Sequence, residues 1–117
     1  MIMKSIEDIV MMEEKIASFG IGQVIHHRLF NYRGVIFDVD PDFKGTEEWF
    51  QKNVEAGSPT KEEPWYHVLI DQDGRVAYVA ERNLEAADPS DPVEHPLLEN
   101  FFTGFVGDHY QARQTLN

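Results

Sequence analysis

Hydrophobic positions along the chain repeat with two different periods. Ile2, Ile6, Ile9, Val10, Met12 and Ile16 recur at three- and four-residue steps, the spacing of one helix face. Ser5 followed by Asp8 fits an N-cap with an acid at N3, and Phe19-Gly20 supplies the stop. The pattern predicts an amphipathic helix over 5–18. From Gly22 the period changes to two. Val24, His26 and Arg28 fall on one strand face, and Ile25, His27 and Leu29 on the other. "FNYRG" makes a short turn, and "GVIFDVD" returns with Val35, Phe37 and Val39 on one face. The two runs predict an antiparallel hairpin. Pro41, which has no N–H for the ladder, ends its second strand.

The next segment, "GTEEWFQKNVEAGSPTKEEP", predicts one inserted helix. Thr46 caps it, Glu47 and Glu48 suit its positive end, and Gly57-Ser58-Pro59 closes it. A second hairpin follows, with strands at Tyr66 to Ile70 and Val76 to Glu81 flanking "DQDG". Gly74 there fits the positive-φ position of a bulged turn. "EAADPSDPVEHP" is a proline-rich loop, and Pro96 is placed at N1 of a short helix over Leu97 to Phe102. The tail after Gly107 is polar and is expected to be loosely held. Four strands in so short a chain predict a mainly β fold, a small SH3-like β-barrel with a short inserted helix and helical N- and C-terminal flanks. The expected organisation is an N-terminal helical extension over 1–18, a β-barrel domain over 19–110 and a flexible tail over 111–117.

Composition narrows the function classes. With 117 residues, 42% of them apolar and 12% aromatic, the chain is long enough to bury about 65% of its unfolded surface in one domain. It has no cysteine, which removes thiolate chemistry and any need for an oxidising compartment. No apolar run approaches the roughly 18 residues of a membrane-spanning helix. The N-terminus does not read as a signal peptide, so the expected location is cytoplasmic. The net charge is −11, and all of it resides in residues 38–117, which hold 17 acids against 6 bases. Such a chain repels nucleic acid at long range unless one face concentrates positive charge.

Catalytic and metal patterns are missing. "DVDPDF" imitates the start of a calcium loop, but Phe43 and Trp49 stand where glycine and glutamate are required. His26 and His27 point to opposite strand faces and cannot chelate one ion together, and no His-x-x-x-His pair exists. No metal or cofactor is expected, and His27, between Ile25 and Leu29 on its face, reads as a structural histidine. The serines lack a Gly-x-Ser-x-Gly elbow, and there is no glycine-rich phosphate loop. The chain is not expected to be an enzyme. What stands out is a basic cluster, His26, Arg28 and Arg33 with Tyr32 between them, in a stretch from Gly20 to Phe37 without an acid. These residue types contact phosphates and bases. They can equally pair across the sheet with Asp38, Asp40 or other acids.

The strings "FGIGQVIHHRLFNYRGVIFDVDPDF", "EEWF", "PWYHVLID", "YVAERNL" and "EHPLLENFF" resemble the heat-shock protein HspQ family, also called the YccV-like hemimethylated-DNA-binding family. The resemblance runs from about Phe19 to Tyr110 and leaves the N-terminal helix without a counterpart. It implies a bacterial, non-enzymatic stress-response protein with an SH3-like barrel. It also implies two activities: binding hemimethylated DNA, and regulating degradation by the Lon protease, with Lon and its substrates as partners. Homo-oligomers, trimers among them, belong to the same expectation. The family's basic, aromatic hairpin corresponds here to His26, His27, Arg28, Tyr32 and Arg33, with Tyr66 and His67 on the later strand. Many relatives carry arginine where this chain has His26, which is largely neutral at pH 7 if its pKa is ordinary.

Two readings follow. In one, the protein is an interaction module that engages the protease or its substrates, with Trp49, Phe50 and Trp65 as exposed aromatic candidates. In the other it reads DNA methylation in the major groove, where Tyr32 beside Arg33 offers apolar and hydrogen-bonding groups. A third, an oligomeric scaffold without DNA binding, has the basic hairpin packing on a neighbour's acidic face.

Overall fold

The computed structural model describes residues 16–54 and 59–114. Among them are seven strands and two short helices, a mainly β fold. In chain order these are β1 (Val24–His27), β2 (Arg33–Asp40), α1 (Glu47–Asn53), β3 (Trp65–Ile70), β4 (Val76–Ala80), β5 (Leu84–Ala86), α2 (Leu98–Phe101), β6 (Phe102–Val106) and β7 (His109–Ala112). β1 to β5 form one sheet in the order β4-β3-β2-β1-β5, and β6 pairs with β7. β4 and β5 sit at opposite ends of that order, so the ladder does not close on itself as a barrel.

The sheet is buried on both faces, which is why alternation in β1 to β3 is weak. Val24, Val35 and Leu69 face one core with Val93, Phe102 and Tyr110. Ile25, Ile36, Tyr66 and Val68 face the other with Val79 and Leu84. Phe37 is the extra residue of a β-bulge, since Ile36 pairs with Val68 but Asp38 with His67. A bulge shifts the phase of every later side chain. Phe37 therefore packs on the first core and Val39 on the second, not on one face as alternation predicted.

The first core is covered by the C-terminal segment expected to be loose. β7 pairs with β6, and Tyr110 is buried, its hydroxyl accepting the Val93 N–H at 2.8 Å. Tyr110 N donates to the Gly22 carbonyl. At Gly22, φ is +90° and an added Cβ would strike the Tyr110 backbone, so only glycine allows this approach. Tyr110's polar neighbours in sequence hid one deeply buried ring.

Other boundaries moved less. Thr46 caps α1 by accepting the Trp49 N–H at 3.1 Å, but the helix ends at Asn53 rather than near Gly57, and 55–58 lie outside the described residues. β2 stops before Pro41 as expected, and Gly74 takes φ +84° in the β3–β4 turn. Pro96 precedes Leu97, the N-cap of a shorter α2, and is not at N1. Most of the proposed N-terminal helix lies outside the described residues. Its final residues, Ile16–Ser18, are not helical. They lead into Phe19, which packs edge-on against Tyr66 at 5.6 Å.

Candidate functional site at the β1–β2 turn

β1 and β2 are joined by five residues, Arg28 to Tyr32, of which Arg28 to Asn31 form the turn. The His27 N–H donates to the Tyr32 carbonyl at 2.8 Å and the Asn31 N–H to the His27 carbonyl at 3.0 Å. Asn31 takes φ +57°, a conformation asparagine tolerates better than most residues. The buried His27 organises the loop from inside. Its Nδ1 accepts the Leu29 and Phe30 N–H groups at 3.1 and 3.0 Å. An imidazole accepting at Nδ1 is neutral, and burial, with the neighbouring His26 charge, holds its pKa below the ordinary value. The expectation of a structural histidine is met.

With its backbone bonded inward, the loop turns its side chains out. Leu29 is 50% and Phe30 66% exposed, and Arg28 is exposed with no ion pair to any described residue. Leu29 was expected inside with Ile25; the strand ends at His27, two residues short of Leu29, so alternation no longer buries it. Phe30 stacks on His27 with centroids 4.5 Å apart. It lines a cavity of about 700 Å³ together with Tyr32, Trp49, Arg75 and Asn83. An exposed aromatic beside an aliphatic and an arginine is an arrangement that protein partners bury.

The remaining sequence candidates are dispersed. Arg33 is a structural clamp: its guanidinium bonds Asp71 Oδ2 at 2.8 Å and the Asp91 carbonyl at 2.7 Å. Its acid is Asp71, at the end of β3, rather than Asp38 or Asp40. Tyr32 packs on the second core, and burial pushes its hydroxyl up to about 12, so it does not present a free face beside Arg33. Tyr66 is fully buried, donating to Glu81 Oε1 at 2.7 Å and accepting the Phe19 N–H. Trp65 is buried too, and Trp49 and Phe50 pack with Phe43 on it. His67 lies at the far end of the sheet, 3.0 Å from Asp40.

His26 is the exception. Its Nε2 meets Asn31 Oδ1 at 2.7 Å and its Nδ1 meets Glu85 Oε1 at 3.1 Å. Two oxygen acceptors on one ring favour the imidazolium, so its pKa rises, first through Asn31 and then through Glu85. Both ring nitrogens are thereby engaged, and Arg28 is the turn's cation without an ion pair to a described residue. Leu29 and Phe30 are functional candidates that strand alternation concealed. The signal that would have exposed them is Asn31, a residue suited to positive φ placed just after them.

The fold and this turn define a small mainly β domain with an exposed apolar turn between β1 and β2. The chain belongs to the YccV-like family, described as "Hemimethylated DNA-binding protein YccV like", whose model matches residues 17–109. The chain is also similar to F-box only protein 21 of Mus musculus, 33% identical over 93 residues, or 79% of this chain. The human and Pongo abelii proteins of that name are 32% identical over the same length. The match spans 15% of the length of each of these relatives. In them the domain is one part of a much longer chain.

Proposed function

We propose that this protein is a non-enzymatic regulatory binding module whose docking element is the Arg28–Asn31 turn, and that it modulates Lon-dependent degradation by engaging the protease or its substrates. The observation that carries the reading is the outward display of Leu29 and Phe30 over a loop held rigid by buried His27. A rigid loop binds with little ordering cost. The rest of the reading, a cytoplasmic stress-response protein with an SH3-like architecture that assembles as a homo-oligomer, follows the family resemblance. To test it, Lon turnover of a fluorescent substrate is followed with wild type and with a Leu29→Ser, Phe30→Ser variant. Wild type is expected to change the rate and the variant to lose most of that effect. Equal behaviour of the two proteins would remove the turn from the mechanism.

Hemimethylated DNA is the second reading, supported by the family match and by exposed Arg28 on the same loop. With Arg33 tied to Asp71, the turn offers few phosphate contacts. The expected salt slope is then shallow, about 1 for each neutralised phosphate. A slope of about 4 or more would demand a cationic surface elsewhere.

A further inference from the structure

At the end of the sheet away from Arg33, the bulge at Phe37 and the β2–β3 register bring three ligand-type groups together. Asp38 and Asp40 alternate along β2 and share a face. His67 stands opposite Asp38 on β3. One ligand atom from each of Asp38, Asp40 and His67 lies within 4.8 Å of the others. His67 Nε2 is 3.0 Å from Asp40 Oδ2, and Tyr78 donates its hydroxyl proton to that same oxygen at 2.7 Å. No described donor occupies Asp40 Oδ1, and among the described residues Asp38 accepts only its neighbouring Val39 N–H, at 2.9 Å.

Two ligands at about 2.1 Å from a metal and at right angles to each other are separated by roughly 3.0 Å. The His67–Asp40 spacing therefore suits adjacent positions on one ion as well as it suits a hydrogen bond. Asp38 is exposed and can turn onto the third position. Tyr78 supplies the outer hydrogen bond that orients a ligating carboxylate. Charge favours occupancy: Asp42 follows in the same run, and Lys44, the nearby cation, is engaged by it at 2.6 Å.

We propose that Asp38, Asp40 and His67 form a binding site for a first-row divalent cation, with Tyr78 as a positioning residue. Two carboxylates and one imidazole suit Mn²⁺, Co²⁺ or Zn²⁺ better than Ca²⁺, which takes six to eight oxygens. On binding, the ion takes the Nε2 lone pair; the proton that bridged Nε2 to Asp40 leaves that nitrogen, and the neutral ligating ring carries its one proton at Nδ1. The site differs from the rejected calcium loop because its third ligand comes from another strand.

The test uses the full chain after chelator treatment. Isothermal titration with CoCl₂ and with ZnCl₂ is expected to show one ion per chain. Asp40→Asn and His67→Ala are each expected to weaken binding at least tenfold, and Tyr78→Phe several-fold. Asp38→Asn changes an exposed side chain and serves as the variant least exposed to folding defects; it too is expected to weaken binding. Substoichiometric Mn²⁺ should broaden the NMR signals of Asp38, Asp40 and His67 first. No heat up to millimolar ion, or broadening centred on His26, His95 or His109 and unchanged in Asp38→Asn, would overturn the site.

Discussion

Replacing Arg33 by alanine separates a clamp from a phosphate contact. Arg33 is bonded to the Asp71 carboxylate and to the Asp91 carbonyl. Asp71, with a side chain only 7% exposed, also accepts the Glu94 N–H at 2.7 Å. The pair therefore ties β2 to the loop that carries Val93 into the first core. Removing one member of a buried pair costs about 3–5 kcal/mol, because the other charge stays desolvated. Arg33 itself is 26% exposed, so the lower end, about 3 kcal/mol, applies. For a domain of this size that lowers the melting temperature by about 10–15 °C. Arg33→Lys keeps the charge without the fork and should lose about half as much. Far-UV circular dichroism melts and urea titrations read the effect. A melting temperature within about 2 °C of wild type, together with lost DNA binding, would refute the clamp and return Arg33 to the ligand surface.

Tyr110→Ala should destabilise the fold by about 3–5 kcal/mol through the cavity it leaves in the first core, read in the same urea titration. A loss below about 1 kcal/mol would mean a loose C-terminal hairpin. Tyr66→Phe should cost about 1–2 kcal/mol, since Glu81 loses a donor and the Phe19 N–H its acceptor, while partner binding stays unchanged in a pull-down with the variant. In an NMR titration His26 should titrate above 6.5 and His27 below it. Stability linked to His26 is present below pH 6.5 and is lost as pH rises through its raised folded pKa. That linked to His27 is present above pH 6.5 and is lost as pH falls toward its lowered folded pKa. The reverse order of the two midpoints would contradict the turn's hydrogen bonding.

The two central hairpins were legible in the sequence because turn chemistry marks them: Pro41 ends β2, and Gly74 fits the β3–β4 turn. Thr46 likewise marked α1. The bulge at Phe37 was not legible, because nothing local distinguishes an extra residue from a regular one; the partner strand defines it. β7 escaped notice because Tyr110 is its one buried residue, and a single ring among polar neighbours makes no periodic signal; β6 escaped because only Phe102 is buried in it, while Phe105 and Val106 are exposed. At the site, the opposed faces of His26 and His27 followed from strand alternation alone. The separation of Arg28 from Arg33 did not, since Asp71 reaches Arg33 through pairing 38 residues away. The Asp38, Asp40 and His67 cluster was hidden for the same reason.

In the proposed function the Arg28–Asn31 turn, rather than the basic cluster as a whole, meets the partner. Amide chemical-shift mapping tests it directly, with wild-type protein titrated separately with Lon and with a hemimethylated duplex. Lon is expected to shift or broaden Arg28, Leu29, Phe30 and Asn31 first, while the duplex produces only weak, salt-sensitive changes. Changes from the duplex centred on Arg33 and Tyr66, with the turn silent toward the protease, would contradict it.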